Sequence, residues 1–138
     1  MSGSHGHHDA PALRLTLEPG PDAPSGARAA IADFSAEHAL DTDTLATMML
    51  LVSELVTNAV VHPEVEESAD ICLTARRAGT TIRVEITDQG AGFTPQERDP
   101  ARIDGGYGLY LLNQAADRWG VEHDDATTVW FELSGQIA

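Results

Sequence analysis

Apolar and polar positions recur along the first half of the chain in patterns that predict one strand followed by two helices. The segment LRLTLEP, residues 13–19, alternates apolar and polar side chains, as a half-buried strand does. A loop rich in Pro and Gly follows, after which apolar residues at helical spacing predict a helix over 27–39. A second, more apolar helix is predicted over 44–61, with Thr42 or Asp43 able to cap its N-terminus.

The second half of the chain returns to the alternation that is typical of strands. Two such segments, 71–75 and 82–86, are joined by the hairpin signal RAGT. A polar stretch over 88–108 separates them from a helix that begins near Gly108 and from a final hairpin over 119–133. This order of elements is typical of an α+β fold. We therefore predict a two-layer α/β sandwich, with a mixed, mostly antiparallel sheet and its helices on one face.

The length of the chain favours a single folded domain. A chain of 138 residues can build one hydrophobic core but not two. Residues 1–12 carry His5, His7 and His8 among Gly and Ser, and nothing there would hold these side chains around a metal ion. We expect this segment to be a disordered leader, and the folded domain to cover 13–138.

Charge and hydropathy limit the kinds of partner that the protein is expected to bind and the compartment in which it is expected to work. The formal net charge of −14 argues against direct binding to nucleic acid, whose phosphates attract clustered Lys and Arg. It leaves open a basic protein partner, or a small anion held by backbone groups and a metal ion. No apolar run approaches membrane-spanning length, so no membrane association is predicted. A single cysteine, Cys72, allows no internal disulfide and favours the reducing cytoplasm.

The first candidate for chemistry is SELVTNAVVH, at the end of the second predicted helix. Glu54, Asn58 and His62 are spaced so that all three share one helical face. Each residue alone has a simpler explanation, a hydrogen bond to nearby backbone groups, and we favour that explanation for His62. For the pair Glu54 and Asn58 we favour a functional site, because burying both is costly unless something satisfies them. Asn58 can offer a carbonyl oxygen to Mg²⁺, and Glu54 can accept a proton from an attacking hydroxyl or water.

The second candidate is EITDQGAGF, in which Asp88 ends an apolar strand. A carboxylate at this position can accept a hydrogen bond from an exocyclic amine such as that of adenine. Gly90 and Gly92 follow it, and glycines allow the backbone to approach a flat ligand closely. A tight Asp–Gly turn is the simpler alternative for this motif taken alone.

Two further segments carry weaker signals. In DGGYGLYLL, the glycines at 105, 106 and 108 lead into a predicted helix, whose free N–H groups and dipole favour an anion. The spacing fits neither a P-loop nor a dinucleotide fingerprint, and a flexible loop before a helix is the alternative. In TTVWFEL, Thr127 or Thr128 begins the last strand, although threonine is common in strands generally.

The order of these motifs resembles that of a known superfamily. ExxxN on a helix, DxGxG after a strand, GxGL at a helix start and Thr on the last strand resemble the Bergerat-fold nucleotide-binding proteins. These are the gyrases, heat-shock chaperones, histidine kinases and mismatch-repair ATPases. Within that group, LLVSELVTNAVVH, DQGAGF, GGYGLYLL and TTVWFEL look most like the anti-sigma factor serine/threonine kinases. The resemblance covers nearly the whole chain from about Leu13 onward and implies that ATP is the ligand.

The resemblance also implies a role for each motif residue. Glu54 would be the general base, Asn58 would bind Mg²⁺, and Asp88 would accept a hydrogen bond from the adenine amine. The stretch 94–104 would form a mobile lid. Gly90 and Gly92 would shape the base pocket, and Thr128 would support Asp88 or the adenine. Backbone groups of Gly106, Gly108 and Leu109 would contact the phosphates, and Arg102 would contact the γ-phosphate.

The activity implied by the resemblance is that of a partner-switching serine/threonine protein kinase. Such a kinase binds a sigma factor in one state and phosphorylates an anti-anti-sigma antagonist in another, and its relatives often form homodimers. The alternative is a protein-binding module whose bound nucleotide only sets its affinity for a partner, because a fold does not determine a function. Glu54 favours the kinase, since a pure binding module needs no base.

Overall fold

The computed structural model describes residues 12–60, 70–88, 110–124 and 126–134. Residues 110–115 are helical. The other elements in this part of the chain are β1 (Leu13–Leu17), α1 (Ala23–Glu37), α2 (Thr42–Val60), β2 (Ile71–Ala78), β3 (Thr81–Asp88), β4 (Arg118–His123) and β5 (Thr127–Ser134).

The described strands form one sheet in the order β1-β2-β3-β5-β4, and every neighbouring pair is antiparallel. The predicted hairpin between β2 and β3 turns at Gly79, whose φ of 63° is favoured in glycine. The last strand, β5, lies between β3 and β4 rather than at the edge. The end of β3 therefore lies beside the beginning of β5, at one end of the sheet.

The two long helices cover one face of the sheet. Side chains on that face alternate along each strand with half-buried ones on the other face, as the period of two requires. Against them pack the apolar stripes of α1 and α2, and each buried large apolar side chain contributes about 1.5–3 kcal/mol. The largest fully buried side chains are Phe34, Phe131, Ile31, Met48, Leu51, Ile71, Leu73, Ile82, Leu112, Val52, Val56 and Val84.

The opposite face of the sheet is polar and partly open to solvent. Arg83 donates to Glu85 at 2.8 Å and to Glu132 at 3.0 Å, and its guanidinium lies 4.1 Å from the ring centroid of Trp130. No helix among the described residues combines the length and the hydropathy that crossing a bilayer requires.

Both long helices begin earlier than predicted. α1 begins at Ala23 rather than near residue 27, because Pro24 lies in its first turn, where a missing N–H is no loss. α2 begins at Thr42, so the prediction that Thr42 or Asp43 caps it was wrong. The cap is Asp41, whose Oδ1 accepts a hydrogen bond from the backbone N–H of Thr44 at 2.8 Å. Hydrogen bonds from the Thr44 hydroxyl and backbone N–H lower the pKa of Asp41.

Candidate functional site

Asn58 is a buried amide near the C-terminal end of α2. Its side chain is directed inward, and only 5% of the residue is exposed. The Nδ2 group is buried and has no hydrogen-bond partner among the described residues. A buried donor left in this condition costs about 1–3 kcal/mol. Asn58 is therefore better suited to bind a ligand than to stabilise the fold. Glu54 lies one turn earlier on the same helical face and is half-buried.

Asp88 is the last residue of β3 and is only 7% exposed. Its side chain lies on the helix-facing side of the sheet, in phase with the buried Ile86, and its Oδ2 atom is buried. Across the strand pair, Asp88 is in register with Thr127, which is 5% exposed. Directly paired residues of antiparallel strands project to the same face. A carboxylate and a hydroxyl thus stand side by side at this end of the sheet.

Asn58, Asp88 and Thr127 line one pocket between α2 and the sheet. The empty space around these residues, including the part open to solvent, is about 310 Å³, and the other described lining residues are Leu55, Ala59, Ile86 and Val129. Apolar walls with a few polar groups are typical of small-molecule sites and suit a flat heterocycle. None of the described lining residues is a Lys or Arg, so this part of the pocket suits an uncharged ring rather than phosphates.

Thr128 was expected to support Asp88 or the adenine, and the structure places it elsewhere. It is in register with Thr87, and the two hydroxyl oxygens are 2.9 Å apart on the polar face of the sheet. Thr127 is the threonine that reaches the pocket. The sequence holds a signal for this choice, because Thr127 has the same parity as Val129 and Phe131, which face the core.

The Thr127 hydroxyl also has a neighbour on the edge strand of the sheet. Its Oγ1 lies 3.3 Å from Nδ1 of His123, with which Thr127 is in register across β4 and β5. His123 itself is exposed. The sequence motifs gave no indication of this contact, because β4 carries none of them.

Several predicted site residues lie outside the described residues. They are Gly90, Gly92, Arg102, Gly106, Gly108 and Leu109, together with the expected lid over 94–104. His62, for which a structural role was expected, also lies outside the described residues. Of the predicted site residues that the structure describes, Asn58 and Asp88 meet in the pocket, and Glu54 lies one turn from Asn58. Within the described residues, no group of three or more His, Cys, Asp or Glu could hold a metal ion.

Comparison with protein families matches residues 17–133 to the histidine kinase-like ATPase domain. Among solved structures, the chain is similar to the crystal structure of the RsbU and RsbW domains of Rv1364c from Mycobacterium tuberculosis. That match has a TM-score of 0.70 at 24% sequence identity. It covers 91% of this chain and 33% of the other, so this chain spans about a third of that protein chain. The comparison with curated proteins found no match.

Proposed function

The chain belongs to the histidine kinase-like ATPase domain family, and from that membership we propose that it is an ATP-dependent serine/threonine kinase of the anti-sigma type. Its fold is the Bergerat fold of that family. The observation that carries the proposal is the convergence of Asn58, Asp88 and Thr127 on one apolar pocket, with Glu54 one helical turn away.

The pocket supports a specific placement of ATP. Adenine would lie between the apolar walls, where the Asp88 carboxylate can accept a hydrogen bond from its amino group. The phosphates would extend past Asn58 toward Glu54. Backbone contacts to the phosphates would come from the proposed glycine-rich segment, with Gly106, Gly108 and Leu109, and a charge contact from Arg102. Gly90 and Gly92 would border the base.

A magnesium ion fits the residues present. Mg²⁺ usually keeps several waters and leans on substrate phosphates rather than on a complete set of protein ligands. The Asn58 amide suits this arrangement, because its oxygen can bind the cation while its NH₂ group donates to a phosphate oxygen. When bound, the ion would neutralise phosphate charge that the acidic chain cannot neutralise well, given its net charge of −14.

Glu54 is the proposed general base. Its half-buried carboxylate would accept the proton of a serine or threonine hydroxyl as that oxygen bonds to the γ-phosphorus. The bond between the γ-phosphorus and the β–γ bridging oxygen breaks, and ADP leaves with the electron pair. Phosphoryl transfer depends mainly on positioning and charge stabilisation, so one base beside a nucleotide clamp is sufficient machinery.

The proposed partners are a sigma factor and an anti-anti-sigma antagonist, and the proposed location is therefore the cytoplasm. Support comes from the sequence resemblance and from the similarity to a structure that contains RsbU and RsbW domains. The net charge of −14 suits a partner with a basic docking surface, to which opposite charge would steer it. A homodimer is part of the same proposal, because relatives of this type often pair through the sheet.

Transfer of phosphate from γ-labelled ATP in host-cell lysate tests the activity. Wild-type protein is added with Mg²⁺ and compared with Glu54→Ala and with Glu37→Ala, which removes an exposed glutamate at the end of α1. We expect one small protein to be labelled by the wild type and by Glu37→Ala, with labelling reduced at least about a hundredfold in Glu54→Ala. Equal labelling by all three would refute Glu54 as the base. ATP binding without any labelling would support the nucleotide-dependent binding module instead.

A further inference from the structure

Three polar side chains form a row across the sheet beside the pocket. Asp88 on β3 is in register with Thr127 on β5, and Thr127 is in register with His123 on β4. All three therefore project from the same face of the sheet. The row runs from a buried carboxylate, through a buried hydroxyl, to an exposed imidazole at the edge of the described sheet.

We propose that His123 is a positioning residue that makes the site select a purine with a 6-amino group over one with a 6-oxo group. This inference rests on the proposed ATP site. A threonine hydroxyl has one hydrogen to donate and two lone pairs. The contact that carries this role joins Oγ1 of Thr127 and Nδ1 of His123, which are 3.3 Å apart. In the tautomer with its hydrogen on Nε2, Nδ1 accepts the hydrogen of the Thr127 hydroxyl. Only lone pairs of Thr127 then face the pocket.

The chemical consequence is a base pocket whose neighbouring groups at this end only accept hydrogen bonds. The Asp88 carboxylate also has no hydrogen to donate, so the two side chains together offer acceptors to the base. A 6-amino group has two hydrogens, one for each acceptor. A 6-oxo group would instead place its own lone pairs next to these acceptors. The buried polar groups of the site would then be left without a partner, which allows a site to reject an analogue strongly.

The position of His123 suits a role in selectivity better than a role in folding. It is exposed, so its truncation removes no core packing. Without the imidazole, the Thr127 hydroxyl is free to rotate and to donate to a 6-oxo group. Selectivity should then fall although the acceptor Asp88 is unchanged. Glu122, the preceding residue on the same strand, provides a matched control because it is in register with Thr128 rather than with Thr127.

The test compares the binding of ATP and ITP, which differ at the purine 6-position and the adjacent ring nitrogen, by calorimetry on the full chain. We expect His123→Ala to lower the preference for ATP over ITP by about three- to tenfold, the range of one hydrogen bond. His123→Asn should restore most of the preference, because its Oδ1 is bonded to Cγ as Nδ1 is in histidine. Glu122→Ala should match the wild type.

A double variant separates positioning through Thr127 from any direct effect of His123. In the Thr127→Val background, His123→Ala should cause no further change, and Thr127→Ala, which also lacks the hydroxyl, replaces the valine variant if the latter unfolds at lower temperature. The proposal is overturned if His123→Ala keeps the wild-type preference, or if its effect persists without the Thr127 hydroxyl. In both cases the protein would still bind ATP, and the proposed function would be unaffected. Binding of neither nucleotide by the wild type would instead overturn the proposed function and this inference with it.

Discussion

Asp88 is the residue whose charge matters most for the proposed nucleotide site. It is 7% exposed, and its partner in the register, Thr127, is a neutral hydroxyl. Asp88→Asn keeps the shape of the side chain but removes the charge, and charge-assisted hydrogen bonds are about twice as strong as neutral ones. We expect ATP affinity to fall about tenfold, equivalent to about 1.4 kcal/mol, as measured by calorimetry. Asp70→Asn, which neutralises an exposed carboxylate just before β2, is the control and should bind normally.

The residues of the site could be predicted from sequence to the extent that they interrupt an apolar pattern. Asn58 and Asp88 stand out because each is a polar residue within an apolar element, and both line the pocket. Thr128 was chosen over Thr127 because two adjacent threonines fit a strand equally well, and only the phase of the strand distinguishes them. His123 could not be found in this way, since its contact with Thr127 depends on the pairing of β4 with β5.

At the scale of an element, the N-terminus of α2 provides a pH-dependent prediction. Hydrogen bonds from the Thr44 hydroxyl and backbone N–H hold the pKa of Asp41 below its ordinary value of 3.8. A carboxyl whose folded pKa is lowered stabilises the fold above its unfolded pKa, and the contribution is lost as pH falls through the folded value. Asp41→Ala should therefore unfold at a lower temperature than the wild type at pH 7, with the difference shrinking below about pH 4.

Asp41→Asn separates the cap from the charge. Asparagine caps helices about as well as aspartate, so this variant should stay close to the wild type at pH 7. Thermal unfolding followed by circular dichroism between pH 2 and 7 provides the measurement. A difference between wild type and Asp41→Ala that is the same at every pH would contradict a role for the carboxylate charge.

Two backbone positions with positive φ provide a matched pair of opposite changes. Ala39, just after α1, has a φ of 53°, and Gly79 in the β2–β3 turn has a φ of 63°. A left-handed residue with a Cβ costs about 1 kcal/mol relative to glycine. We expect Ala39→Gly to raise the free energy of unfolding by about 0.5–1 kcal/mol, and Gly79→Ala to lower it by about 1 kcal/mol.

The Gly79 variant tests the backbone alone, because a Cβ at this position would meet nothing within 4 Å. Urea unfolding measures both variants. A stabilising Gly79→Ala would contradict the assigned turn conformation.

Neither φ value follows from periodicity, since nothing in the run EHAL predicts a left-handed alanine. Helix and strand types were predictable from periodicity, whereas the way in which each element begins or ends depended on local hydrogen bonds such as that of Asp41.

At the scale of the whole molecule, the α+β prediction is confirmed, including the antiparallel sheet and the helices on one face. The strand order was not accessible from periodicity. The alternation in TTVWFEL fixes which side of β5 faces the core, but not that β5 lies between β3 and β4. That pairing brings Asp88 beside Thr127, and it depends on contacts distant in sequence. The resemblance to a known fold implied only that a threonine of the last strand supports Asp88 or the adenine, and it did so through the order of motifs rather than through local chemistry.

The free energy of unfolding of the whole molecule should rise when nucleotide binds, because the pocket is lined by residues of both α2 and the sheet. At a free ATP concentration about 100 times the dissociation constant, binding adds about 2.7 kcal/mol to the free energy of unfolding. For a chain of 138 residues we expect Mg-ATP to raise the melting temperature by about 10 °C.

Asn58→Leu should separate this gain from the stability of the nucleotide-free protein. The substitution removes a buried amide whose Nδ2 has no partner among the described residues. Without nucleotide, the variant should be as stable as the wild type, or more stable by about 1 kcal/mol. With Mg-ATP it should gain almost nothing, because the amide proposed to bind the ion and phosphate is gone. Thr57→Ala, an exposed change on the same helix, should keep the full shift. If the melting temperature of the variant without nucleotide is several degrees below that of the wild type, Asn58 stabilises the fold. If the variant keeps the full shift with Mg-ATP, ATP binds elsewhere.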